Sequence, residues 1–301
     1  MPQSGPHPQL SAADALAPVW RRHARELTAR ESELRSGRET SAHGYRAAAR
    51  RLRSNLAAFR PLFEGNLPAE LTADLRHAVR SLGGPGDAEV MADRVTRLLA
   101  DEPDGIEVAR VRAGLLALLD SIARERGGVP TAYFDSDEYD VLVRRLDRFS
   151  DLPPWAPAAR GPAADVLRAP LKVEWKRFRG IGAAALAAPH DPSGDARLQA
   201  TRKAAERARH VAESLVPVFG RRARRMAEAA ARVQDVLGEH RDCAVTRELL
   251  AGRALESLTD PDDRFVLGRL HAREQATSER LRDDYARLFR AADRKALRRW
   301  M

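Results

Sequence analysis

At 301 residues, 44% of them apolar, the chain is long enough for one large domain or two of ordinary size and too apolar for wholesale disorder. A single cysteine excludes an internal disulfide, no run approaches the 18 apolar residues of a membrane span, and 5% aromatics disfavour a strand-rich fold. The net charge of +9 directs attention to acidic partners: nucleic acid, a phosphate polymer or an anionic membrane surface.

Residues 1–12 are polar and Pro-rich, expected as a flexible tail without the apolar core of a signal peptide, and a cytoplasmic location is expected. From 13 to 36, Leu16, Trp20, His23, Leu27 and Leu34 recur at helical spacing. A second helix is expected over 40–63, stopped by Gly65 and Pro68, then helices over 69–82 and 87–100 divided by Gly83, Gly84, Pro85 and Gly86. Two more follow at 104–125 and 136–149. Residues 152–170 hold Pro153, Pro154, Pro157, Pro162 and Pro170, which cannot sustain a helix and mark a linker. Beyond it, helices are expected at 171–186, 196–218, 221–237, 241–256 and 261–289. The class is therefore all-α, with a first bundle at 13–151 and a second at 171–301.

The two halves repeat each other. RRLRSNLAAFRPLF at 50–63 aligns with ERARHVAESLVPVF at 206–219, pairing Arg51 with Arg207, Arg53 with Arg209, Pro61 with Pro217 and Phe63 with Phe219 at an offset of 156. LGGPGDAEV at 82–90 aligns with LGEHRDCAV at 237–245 at an offset of 155. Two ordered blocks in register indicate an internal duplication, and so two related antiparallel bundles.

Of the 52 basic residues only four are lysines, so guanidinium groups, which grip phosphate oxygens bidentately, dominate the charge. A compositional bias accounts for abundance alone, so position must carry the argument. His43, Arg46, Arg50 and Arg53 fall within an arc of roughly 80° along about 15 Å of helix, away from an apolar stripe of Tyr45, Ala48, Ala49, Leu52, Leu56 and Phe59. No acidic residue interrupts this row. Self-repulsion of that kind is relieved by an external anion, although helix arginines are also commonly solvated or paired with neighbouring helices. The equivalent row in the second half, Gln199, Arg202, Glu206 and Arg209, is weakened by a carboxylate. A third row, Lys172, Lys176 and Arg179, lies beside Trp175, a residue read as core with base stacking as its other use.

His43-x-x-Arg46-x-x-x-Arg50-Arg51-Leu52-Arg53 resembles the opening signature of the CHAD family, the conserved histidine α-helical domain. Arg202, Arg207, Arg209 and Glu213 resemble its second copy, Arg241 and Asp242 its Leu-Gly-x-x-Arg-Asp element, and FVLGRLHARE at 265–274 a late helix. The resemblance covers about residues 15 to 295. It implies two pseudo-symmetric helical bundles with a basic groove or cavity between them, binding of inorganic polyphosphate, and association with polyphosphate granules. The residues it assigns to the polymer are His43, Arg46, Arg50, Arg53, Arg202, Arg209 and Arg241, with Lys172, Lys176 and Arg179 beside them. Gln199, Glu206, His210 and Gly86 depart from the family pattern and imply an asymmetric site. No motif of the phosphohydrolase-like β-barrel that often accompanies the family is found, so the domain is expected to stand alone.

Other chemistry finds less support. Eight histidines form no zinc-like spacing, and His240 near Asp242 and Cys243 is the nearest approach to one, so no metal or cofactor is expected. There is no Walker loop and no nucleophile–base order, so the protein is not expected to be an enzyme. Asp87 and Asp242 are read as helix caps or arginine partners. Generic binding of DNA or RNA backbones is the serious alternative, weakened by scarce aromatics and no recognisable motif. A metal-chelating protein and a scaffold for acidic proteins rank behind it.

Overall fold

The helix-forming composition is realised throughout the computed structural model, which describes residues 10–36, 41–82, 85–125, 131–189 and 191–301. Among these residues the α-helices are α1 (Ala12–Arg35), α2 (Ser41–Ala58), α3 (Leu67–Ser81), α4 (Pro85–Ala100), α5 (Ile106–Glu125), α6 (Asp137–Asp151), α7 (Ala163–Val166), α8 (Arg168–Leu186), α9 (Pro192–Ser214), α10 (Val216–Phe219), α11 (Arg221–Leu249), α12 (Leu255–Ser257), α13 (Pro261–Ala292) and α14 (Lys295–Arg298). Only two isolated β-bridges occur among them, Ser11 with Pro162 and Phe63 with Trp155. The caps follow local chemistry: Ser11 Oγ accepts from the Asp14 amide at 3.1 Å, and Asp191 from the Gly194 amide at 2.9 Å ahead of a proline in the first turn.

The chain forms two compact units. The first comprises Met1–Ser81, Thr131–Gln234 and Leu288–Met301; the second comprises Leu82–Pro130 and Asp235–Arg287. Each unit takes segments from both sequence halves, so the compact units do not coincide with the bundles expected at 13–151 and 171–301. The reason lies in the first unit, where α2 packs on α9 as well as on α1 and α3, and α9 packs on α8.

The first unit buries its aromatics together. Trp20 meets Phe59, Phe63 and Phe149 edge-on at 5.3–6.1 Å, and the stripe read from the sequence on α2 is wholly buried. Removing a ring of this kind costs about 3–5 kcal/mol. Trp175, 1% exposed, lies edge-on to Phe178, which meets Phe289. This places Trp175 in the core and removes base stacking as its use. A side chain at Gly182 would collide with the Phe289 ring, so this crossing demands glycine.

The Pro-rich stretch is a packed part of the first unit and not a linker. Its prolines prevent one long helix, as expected, but they set a 3-10 turn at Pro157–Arg160, the short α7 and the start of α8. Its backbone is laced to distant chain: the Ala12 amide donates to Gly161 O at 3.0 Å, Ala163 to Leu10 O at 2.9 Å, and Ala156 to Leu62 O at 2.9 Å. Trp155 stacks on Phe63 at 4.9 Å.

The second unit is aliphatic. Val95, Leu99, Val111, Leu115, Leu250, Val266 and Leu270 of α4, α5, the segment after α11 and α13 form one buried cluster. The two helices expected at 221–237 and 241–256 are one continuous α11 followed by a π-helical turn at Leu250–Ala254. Gly238 does not stop the helix, because one interior glycine costs only about 1 kcal/mol. The disruption comes instead at Gly252, whose backbone is non-helical. Gly83 and Gly84, the surroundings of Gly86 and the side chain of Asp87 lie outside the described residues.

Candidate anion-binding site

Helix α2 carries the expected row, and the structure divides its members. His43 is exposed, Arg50 and Arg53 are half-buried, and Arg46 is only 8% exposed. Arg46 is thus not one of a row of solvent-facing cations, because α2 is covered on three sides by α1, α3 and α9. A glutamate there would bury a carboxylate, so Arg46→Glu perturbs the fold before it tests binding.

The row is also not free of acid, as its sequence alone implies. Packing of α9 on α2 sets Glu206 Oε1 3.0 Å from Arg50 Nε, and Glu206 Oε2 lies 3.9 Å from Arg202 Nη1. Arg202 also donates to Gln199 at 3.2 Å, and Arg209 donates to Glu213 at 2.7 Å. Arg51 and Arg207, both off the rows, turn to structural partners. Arg51 donates to Glu26 on α1 at 2.9 Å, and Arg207 donates to Glu174 on α8 at 2.5 Å.

Arg53 behaves differently. Burial first, then the like charges of Arg76 and Arg50, hold its guanidinium below the ordinary arginine value; Glu206 opposes them, and Arg80 adds a smaller push. Among the described residues no carboxylate pairs with Arg53, Arg76 or Arg80. Arg76 and Arg80 are exposed, one turn apart on α3. Reading the sequence one helix at a time misses them: their own i, i+4 spacing is visible, but their convergence on Arg53 requires α3 to pack beside α2.

Beneath the row lies a neutral polar layer. His210 Nδ1 is 3.2 Å from Ser54 Oγ, whose proton goes to the Arg50 carbonyl at 2.9 Å, which makes His210 the donor. His23 Nε2 lies 3.4 Å from Ser214 Oγ and 3.5 Å from Asn55 Nδ2. Burial first, then the arginines around them, lowers His23 to about 4 and His210 to about 3. Both rings are neutral near pH 7. Notably, Arg50 with Glu206 and Ser54 with His210 are pairs 156 residues apart.

The other expected residues lie elsewhere. Lys172 and Lys176 are exposed on α8, roughly 160° around the helix from Glu174, the residue that reaches α9, so they are turned away from the α2–α9 contact. Arg179 is ion-paired with Asp293. Arg241 is exposed on α11 in the second unit. No cluster of three His, Cys, Asp or Glu suited to a metal occurs among the described residues, and no described helix is long and apolar enough to cross a membrane.

The family model described as the CHAD domain matches residues 18–251. The chain belongs to the CHAD-domain family. Among solved structures, this CHAD chain is similar to PptA from Streptomyces chartreusis, with a TM-score of 0.72, 21% identity, and coverage of 93% of this chain and 99% of that one. It is also similar to the CHAD domain from the plant Ricinus communis, with a TM-score of 0.70, 20% identity, and coverage of 94% and 93%. The all-α fold expected from the sequence is thus the fold of these CHAD structures. Two proteins of Mycobacterium tuberculosis described as uncharacterized, MT2285 (strain CDC 1551 / Oshkosh) and Rv2226 (strain ATCC 25618 / H37Rv), are each 28% identical over 98% of this CHAD chain. The chain spans 56% of the length of either relative.

Proposed function

We propose that this CHAD protein binds inorganic polyphosphate without catalysis, along the cations of α2, α3 and α9. The single observation that carries the reading is the packing of α3 on α2, which sets Arg76 and Arg80 on the side of Arg53, with no ion pair to a carboxylate at any of the three among the described residues. Three guanidinium groups held together repel one another, and a chain of closely spaced phosphates relieves that repulsion with charge-assisted hydrogen bonds. His43, Arg50, Arg202 and Arg209 extend the same surface. Membership of the CHAD-domain family supports polyphosphate as the polymer, through the expectation drawn from its signature residues. A cytoplasmic location on polyphosphate granules follows from the same reading.

Nucleic-acid backbones compete for any arginine surface. The burial of Trp20, Tyr45, Phe59, Trp175 and Phe178 leaves α2 and α8 no aromatic platform for bases, which favours a ligand made of phosphate alone. The test is binding of labelled long-chain polyphosphate at about 150 mM salt, competed by duplex DNA and single-stranded RNA. Polyphosphate retained in the presence of a large excess of both supports the reading. Displacement at equal phosphate concentration replaces it with generic polyanion binding.

A further inference from the structure

Glu206 stands within a row of cations and is only 13% exposed in its side chain. Its two oxygens face two different arginines, Arg50 Nε at 3.0 Å on α2 and Arg202 Nη1 at 3.9 Å on its own helix. Arg53, Arg76 and Arg80, on the same side of α2 and on α3, have no such partner among the described residues. A carboxylate presents to a guanidinium the same pair of acceptor oxygens that a phosphate does. The chain therefore supplies its own anion to one part of the surface and leaves the neighbouring part without one. The placement is also particular: Glu206 is the residue 156 positions after Arg50, so each member of the pair meets its own counterpart in the repeat.

We propose that Glu206 is a built-in competitor that sets the affinity of this site: its carboxylate fills the anion position of Arg50 and Arg202 and must swing aside before a phosphate group is bound there. This rests on the reading of α2 and α9 as a phosphate-binding surface. A tethered carboxylate acts at high effective concentration, so a phosphate reaches Arg50 only when the rest of its chain is already held, at Arg53, Arg76 and Arg80. A neutral side chain of the same shape at 206 would lift the inhibition and leave both arginines ready for ligand.

The experiment titrates wild type, Glu206→Gln, Arg50→Gln and the double variant with long-chain polyphosphate and, separately, with inorganic triphosphate. Glu228→Gln on α11 serves as the control for a change in net charge. Glu206→Gln is expected to bind about tenfold more tightly, the scale of one freed charge-assisted contact. Glu228→Gln is expected to change affinity by less than about twofold, since exposed charges are screened. In the Arg50→Gln background most of the gain should vanish. Glu206→Asp, whose shorter arm withdraws from Arg50, should gain less than Glu206→Gln, and it covers the case in which the amide variant folds poorly. Equal or weaker binding by Glu206→Gln overturns the proposal and makes Glu206 a positioning residue for Arg50. An undiminished gain without Arg50 overturns it as well. If no protein binds the polymer but the gain persists with triphosphate, the competitor stands and the polymer reading falls. If neither ligand binds any of the proteins, both fall.

Discussion

Arginine serves opposite ends in two regions of this molecule. In the second unit the arginines that cross between helices meet carboxylates: Arg94 donates to Glu274 at 2.8 Å and Glu239 at 3.1 Å, Arg110 to Asp263 at 2.8 Å, and Arg273 to Glu102 at 3.0 Å and Asp101 at 2.6 Å. Glu274 and the Glu102 side chain are at most 2% exposed, so these pairs hold helices together in a setting where an orphaned charge is severely unfavourable. At the α2–α3 surface of the first unit, Arg53, Arg76 and Arg80 have no carboxylate ion pair among the described residues. Residue type is therefore uninformative by itself. What an arginine does is decided by whether packing brings it a carboxylate.

The largest effect that sharpens this contrast is on stability. Arg94→Met leaves Glu274 buried without its counter-charge and should cost about 3–5 kcal/mol, lowering the melting midpoint by roughly 10 °C. A change of less than about 1 kcal/mol would erase the distinction between the two regions. At the other surface, Arg76→Gln with Arg80→Gln should reduce polyphosphate affinity about tenfold or more while moving the melting midpoint by no more than about 2 °C. Unchanged affinity there would remove these residues from the site.

A third measurement concerns the histidines beneath the row. Both have folded-state values depressed below the ordinary 6.5, to about 4 and about 3, so between those limits the unfolded chain binds protons that the folded chain does not. Their contribution is intact above pH 6.5 and is lost progressively as pH falls towards 4. Melting midpoints recorded from pH 7.5 to 4.5 should decline along this course, and His210→Gln should make the decline shallower. An identical slope in the variant would show that other groups govern the acid limb. The smallest effect belongs to Arg253→Ala. Its partner Glu125 is half-exposed at 2.9 Å, and no measurable shift in melting is expected.

The helices were legible because 3.6-residue periodicity and caps such as Ser11 are local signals, and observed ends fall within a few residues of the expected ones along most of the chain. Gly238 misled because glycine signals an end only where the backbone takes a non-helical conformation, and residue identity does not reveal that. The prolines of 152–170 misled for a related reason. They forbid a helix, but whether the resulting turns are slack or laced to Leu10, Ala12 and Leu62 depends on partners far away in sequence. At the site, the spacing of His43, Arg46, Arg50 and Arg53 placed four residues on one arc of one helix but did not show that packing buries Arg46. It was silent about Glu206 arriving opposite Arg50 and about Arg76 and Arg80 arriving beside Arg53, since both depend on which helix packs against α2.

The lacing of the Pro-rich segment also sets a timetable for synthesis. Ala12 donates to Gly161 and Leu10 accepts from Ala163, so the opening of α1 has no backbone partner on those atoms until about 150 further residues have been made. Contacts of that sequence separation slow folding, because loop closure comes before any gain from pairing. A nascent chain that has emerged only through α6 therefore exposes Phe63 without the Trp155 ring that stacks on it, and a chaperone that shields aromatic surface during that interval should raise the yield of folded protein.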